Sequence, residues 1–150
     1  MSATVRHRAR SDNYEEVVRE SFARQAMMAS LGARLTWLEP GEAHVEFALS
    51  TAYTQQNGHM HAGALAAIAD SACGYAAFSL AEAESDVLTV EFKINLLAPA
   101  NAARFEARAK VLRSGKTLTV CAADVVGFDR DEVTLVATMI ATLIIRPKPR

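Results

Sequence analysis

A stretch of amides, imidazoles and small residues, Gln55-Gln56-Asn57-Gly58-His59-Met60-His61-Ala62-Gly63, precedes an almost wholly apolar run that carries one carboxylate, Asp70. If that run is helical from its start, Asp70 lies about two turns inside it. An ionised carboxylate in apolar surroundings is costly unless it is paired or has chemical work to do. Asp70 is therefore a candidate general base or nucleophile. The alternative is a structural carboxylate bonded to a backbone amide or to Ser71. His61-Ala62-Gly63 falls where the helix would begin, so free backbone N–H groups and the positive end of the helix dipole gather there. Small residues allow a carbonyl to approach those amides, and an oxyanion developing on it would be stabilised. An ordinary loop-to-helix transition would use the same residues. His59 and His61 are spaced for metal ligation, but no third ligand stands at a suitable distance in the sequence, and no metal is expected. Cys73 follows Asp70 by about one turn, yet an unassisted buried thiol is inert.

The elements that must position these groups are legible from periodicity. Ala64 to Leu80 is dominated by alanine, the best helix former, and is apolar on every side. Such a helix must be surrounded by something. Alternation over Leu88–Leu96, Arg104–Val111, Thr117–Ala122 and Val133–Leu143 predicts four strands. In the first, Leu88, Val90, Phe92, Ile94 and Leu96 share one face and Thr89, Glu91, Lys93 and Asn95 the other. Pro99, Ser114-Gly115 and Asp129–Asp131 mark the turns, which suggests a meander. Upstream, Arg34–Glu39 and Glu42–Ser50 flank Pro40-Gly41 as a hairpin. Asp12–Ser30 reads as one helix, with Asp12 and Glu15 as a possible capping box. The result is an α+β fold: a curved antiparallel β-sheet wrapped around a central buried helix, with an extra N-terminal helix.

The chain has 150 residues, 51% hydrophobic and 22% charged, with a formal net charge of −1. It reads as one domain over 1–150, with residues 1–11 and 146–150 as mobile tails. The balanced charge gives no global argument for nucleic acid or an anionic membrane as a partner. Two cysteines in apolar runs suit free thiols in a reducing, cytoplasmic setting. The apolar run is interrupted by Asp70, which argues against a membrane span.

The run from Asn57 to Asp70, with His61-Ala62-Gly63 and an Asp nine residues after the His, resembles the His-Gly-Gly…Asp motif of PaaI-like hotdog-fold acyl-CoA thioesterases. Leu88 to Asn95 followed by Ala98-Pro99-Ala100 is similar to that family's next strand, and Arg113-Ser114-Gly115-Lys116-Thr117 to its later hairpin. The resemblance covers roughly Gly32 to Ile145. It implies hydrolysis of an acyl-CoA or related acyl thioester, without a cofactor, by Asp70 as base or nucleophile. It also implies the N–H near Ala62 and Gly63 as oxyanion donor, and Gln55 or Gln56 as a polar side chain holding the thioester or the attacking water. Thr89 stands where a hydroxyl positions that water. Asn57 and His61 fall among the substrate-binding positions, and Arg113 and Lys116 where coenzyme A phosphates are held. The resemblance further implies a homodimer whose two helices share the site, extending to a dimer of dimers. Ala62 departs from the family's usual Gly. A hotdog hydratase or dehydratase, or a non-catalytic acyl-thioester-binding protein, is the alternative.

Overall fold

The structure is a computed structural model that describes residues 6–149. Its order is α1 (Tyr14–Ala23), α2 (Ala26–Ser30), β1 (Arg34–Glu39), β2 (Glu42–Ala48), α3 (Ala62–Phe78), β3 (Ser85–Leu96), β4 (Arg104–Ser114), β5 (Leu118–Asp129) and β6 (Glu132–Pro147). The six strands form one antiparallel sheet in the order β1-β2-β4-β5-β6-β3. Alternation sends Ala43, Val45 and Phe47 of β2 and Phe105, Ala107 and Ala109 of β4 into one core. There they meet Leu65, Ile68, Ala69, Ala72, Cys73 and Ala76 of α3. Alanine lets the helix axis approach the strands closely, so the sheet curves round α3.

Both ends of α3 are tied to loops that the sequence marked. At its C-terminus the Ser79 hydroxyl donates to Ala76 O at 2.7 Å and accepts from Gly41 N–H at 2.7 Å. Gly41 closes the β1–β2 turn with a φ of 83°, a conformation suited to glycine. At its N-terminus His61 caps the helix, its Nδ1 accepting from Gly63 N–H at 2.8 Å.

Four features differ from the sequence expectations. The strands are not a simple meander: β4, β5 and β6 follow one another, but β3 crosses to the far edge and pairs with β6, leaving β2 beside β4. The helix expected over Asp12–Ser30 is broken. Gln25 is extended, with φ −79° and ψ 100°, and its side-chain oxygen accepts a 3.0 Å hydrogen bond from Ser71 Oγ. No capping box forms, since Asn13 occupies the N-cap and makes no side-chain capping bond. Arg146 and Pro147, read as part of a loose tail, continue β6 opposite Asp86 and Ser85, and Lys148 N–H donates to Glu84 O at 3.0 Å. Near the other end, His7 Nε2 lies 3.0 Å from Val111 O; residues 1–5 lie outside the described residues. Among those described, no helix is long and apolar enough to cross a membrane.

The Phe47 and Phe105 rings, both buried, lie 5.8 Å apart on neighbouring strands beneath α3. Phe105→Ala is expected to destabilise the fold by about 3–5 kcal/mol, the range for emptying a close-packed aromatic site. Urea denaturation checks this. A loss under about 1 kcal/mol would mean that this layer is not the rigid centre of the core.

Candidate active site

Asp70 lies on the strip of α3 that the sheet leaves uncovered. Buried Ile68, Ala69, Ser71 and Ala72 flank it in sequence, while Asp70 itself is half-buried. One side-chain partner reaches it: Thr89 Oγ1 donates to Asp70 Oδ1 at 2.7 Å. Strict alternation along β3 would turn Thr89 away from the helix. A bulge at Val90 prevents that. The pairing Thr89↔Leu143 is followed by Glu91↔Thr142, two residues of β3 against one of β6. Thr89 thereby shares the face of buried Leu143 and points at α3. Burial lifts the Asp70 carboxyl above its ordinary value, and the Thr89 hydrogen bond offsets part of that rise.

A cleft of about 640 Å³ opens beside this pair. Asp70, Gly74, Tyr75 and Phe78 of α3 form one wall, Val87, Thr89 and Leu143 the floor, and α1 with Gln25 the other wall. Lys148 also reaches its rim. The α1 residues, Gln25 and Lys148 were not singled out from the sequence, and Ser71, named there as a partner for Asp70, bonds Gln25 instead. Only the polar positions recurring beside α1's apolar stripe could have signalled that wall.

The second group lies about two turns away. The Gln55–Gly58 segment folds into a tight turn, with Gly58 N–H donating to Gln55 O at 3.0 Å and Gly58 at a φ of 83°. The chain then runs back, with His61 N–H donating to Tyr53 O at 2.9 Å, and enters α3. The Gln55 side chain accepts from Asn57 N–H within this turn. Gln56 and Asn57 are exposed. At the helix start the Gly63 N–H is taken by the His61 ring, whereas the Ala62 N–H has no acceptor among the described residues. A smaller cleft of about 290 Å³ lies here, between Met27, Leu31, Tyr53, His61, Gly63 and Ala64.

Asp70 and Thr89 thus meet, while Ala62, Gly63 and the Gln55–Asn57 turn gather at the other end of the exposed strip. Arg113 is the penultimate residue of β4 and Lys116 lies in the following turn; neither lines either cleft. Of the apolar residues that could line a pocket, Phe78 borders the larger cleft and Met27 and Tyr53 the smaller. Met28 is core, and Phe22 packs edge-on against Tyr75 at 5.4 Å between ring centres. Among the described residues no three potential ligands cluster around a metal position. Cys73 is buried beside Cys121, and that neighbour, together with burial, pushes its thiol far above the range in which a thiolate forms.

Known proteins share the family and the fold of this chain. Residues 57–134, more than half of the chain, match the family model of the Thioesterase superfamily. A thioesterase family protein from Silicibacter pomeroyi is 50% identical and superposes with a TM-score of 0.88, over 90% of this chain and 99% of that one. The PaaI protein from the phenylacetic acid degradation operon of E. coli is 21% identical with a TM-score of 0.80, over 89% and 94% of the two chains, and shares the fold. A Saccharolobus solfataricus protein named as an esterase is 36% identical over 60% of this chain; the match spans 64% of that protein, under two thirds of its length. The helix-in-sheet architecture and the matched segment from the Asn57 turn to the start of β6 make the chain a member of the thioesterase superfamily, built on the hotdog fold.

Proposed function

We propose that the chain hydrolyses an acyl thioester, with acyl-CoA as the substrate class, and that Asp70 is the carboxylate that does so. The observation that carries this reading is the Asp70–Thr89 pair at a cleft wall, where burial raises the carboxyl above its ordinary value. A carboxylate tuned upward is a stronger base than a free one and is available near neutral pH. Asp70 either takes a proton from water held by the Thr89 hydroxyl or attacks the carbonyl carbon itself. The free Ala62 N–H, at the positive end of α3, then stabilises the tetrahedral oxyanion. The carbon–sulfur bond then breaks. In the first route the proton taken by Asp70 passes to the departing thiolate and the free acid is released. In the second the thiolate leaves an Asp70–acyl anhydride, which a water molecule hydrolyses to the acid and free Asp70, its proton going to the thiolate. Gln55 or Gln56 and Asn57 border the thioester, His61 fixes the helix start, and Arg113 with Lys116 holds the coenzyme's phosphates. The reading needs no metal or cofactor and fits a cytoplasmic setting.

The same reading requires two subunits. Ala62 and Asp70 are eight residues apart on one helix, about 12 Å by helix rise, too far for both to reach one carbon. A second α3, antiparallel across a two-fold axis, would bring Asp70 of one copy beside Ala62 of the other and make two equivalent sites. The free edge supports this. β3 is 12 residues long and unpaired on its outer side, with Val90, Phe92 and Leu96 exposed. Such an edge is a template for pairing with another chain. A dimer of dimers remains part of the proposal.

Asp70→Asn keeps the shape of the side chain and its capacity to accept from Thr89. Turnover of acyl-CoA, read as thiol release, is expected to fall by about 10²–10⁴-fold. Parental turnover in a folded variant would end the proposed role. Stability gives an independent readout. Because burial favours the neutral carboxyl in the folded chain, the ionised form costs stability. That cost is absent below the unfolded-chain pKa, grows between the unfolded and folded values, and is complete above the folded value. Asp70→Asn should therefore melt higher than the parent at neutral pH, with the gap closing as the pH falls through the folded value. Equal melting curves across that window would contradict the desolvated carboxyl.

The shared site has its own test. Asp70→Asn and Gly63→Pro, the second disturbing the start of α3, should each be inactive. Mixed after subunit exchange, they should regain activity, since a mixed dimer holds one intact pair of half-sites. Exchange proven by mass spectrometry without recovery, or an active monomer, would reject the shared site.

A further inference from the structure

The wall opposite Asp70 is unusual for a slot that holds a plain hydrocarbon chain. Helix α1 buries Val18 against the core. An adjacent face, Asn13, Val17, Glu20, Ser21 and Arg24 at three- and four-residue spacings, borders the cleft instead. Four of these five side chains are polar or charged. The far end is polar as well. The Tyr75 hydroxyl lies 3.5 Å from Ser21 Oγ, and burial lifts this phenol above its ordinary value while the Ser21 hydroxyl and then the Arg24 charge draw it back. Arg24 is exposed on the same cleft as the Tyr75 hydroxyl and forms no ion pair among the described residues. Next to Arg24, the extended Gln25 accepts from Ser71 Oγ at 3.0 Å, where the N-terminal helix is broken.

We propose that this end of the cleft is the specificity site for the acyl group. It takes a neutral acyl chain bearing a hydroxyl or keto oxygen, read by Arg24, Tyr75 and Ser21. The inference rests on the thioesterase reading and deepens it. Tyr75 follows Asp70 by five residues, about 7.5 Å of rise along the helix axis, so the two line the same cleft at different levels. The recognised oxygen therefore belongs several carbons from the thioester. An anionic chain end is disfavoured by charge: Asp70, Glu20, Glu84 and Asp86 border the cleft against Arg24 and Lys148. A plain chain end would leave the Arg24 guanidinium beside it without an acceptor, which selects against it.

Three six-carbon esters separate these cases: hexanoyl-CoA, 6-hydroxyhexanoyl-CoA and adipoyl-CoA. On the parental protein kcat/KM should be about tenfold higher for the hydroxy ester than for hexanoyl-CoA, the scale of one net hydrogen bond, and lowest for adipoyl-CoA. In Arg24→Ala, and separately in Tyr75→Phe, the hydroxy-to-hexanoyl ratio should fall toward one. A parental preference for hexanoyl-CoA, or a hydroxy preference that survives both variants, overturns the proposal. Calorimetric titration of the same esters keeps the two readings apart. Binding without turnover, with an Arg24-dependent preference for the hydroxy ester, removes the hydrolase reading and keeps the specificity site. Turnover of all three esters without preference removes the specificity site alone. Neither binding nor turnover of any ester rejects both.

Discussion

One constraint governs the rest of the molecule: α3 is apolar around nearly its whole circumference yet carries a carboxylate. An alanine helix offers little side-chain volume, so the core closes only if the strands bring bulk to it. Phe47, Phe105, Val45, Val125, Met139 and Leu143 supply that bulk from the inner face of the sheet. Leaving Asp70 out of this closure keeps it solvated enough to ionise. The sheet curves round three sides of the helix and leaves one strip, on which Gly63, Ala66, Ala67, Asp70, Gly74 and Phe78 are partly accessible. The residues of the strip other than Phe78 and Asp70 are as small as residues can be, so another surface can approach its backbone closely.

Periodicity made the elements readable, because each reports only which of its own faces is apolar. The alanine-rich apolar run marks α3, and two-residue alternation marks β2, β3, β4, β5 and β6 in the sequence. The order of strands is not written that way. Alternation gives β3 one apolar and one polar face, which suits any place in the sheet, yet it lies at an edge with Leu88, Val90, Phe92 and Leu96 exposed. Only its pairing with β6, fixed across the intervening β4 and β5, assigns that place. The break at Gln25 was hidden for a related reason. Nothing in the local sequence forbids helix there, and the bond that stabilises the extended backbone comes from Ser71, 46 positions away.

The candidate site divides along the same line. Asp70 stood out because a charge in an apolar run is visible without any structure. Thr89 did not, since alternation turns it away from α3. It reaches Asp70 only through the bulge at Val90, a one-residue irregularity that re-aims a side chain at a sheet edge. The family resemblance carried Thr89 where periodicity would have discarded it. Ala62, where that family has glycine, raised the question of whether its amide could serve. Ala62 is the first residue of α3, and Arg130 is the sole non-glycine residue with positive φ among those described. The position therefore demands no left-handed backbone, and alanine presents its N–H there as glycine would. The Gly63 amide, by contrast, is engaged by the His61 ring, so the helix start offers a single clear donor from the pair.

In the proposed dimer, assembly and chemistry act on the same carboxyl in opposite directions. Covering the α3 strip with a second copy removes water from Asp70, which raises its pKa beyond the rise already present in the single chain. The partner's helix start would bring roughly half a positive charge and an amide donor toward the same place, which favours the ionised form. Thr89, already bonded to Oδ1, adds to the second effect and fixes which oxygen remains free. Desolvation strengthens the carboxylate as a base, whereas the dipole and the hydroxyl keep it from becoming a permanently neutral acid. A site with only the first effect would hold a protonated, unreactive Asp; one with only the second would hold a carboxylate too weak to activate water. That gives a reason why one small domain would leave this carboxyl uncovered beside an apolar edge strand: in the proposed dimer both effects would be completed only when a second copy covers it.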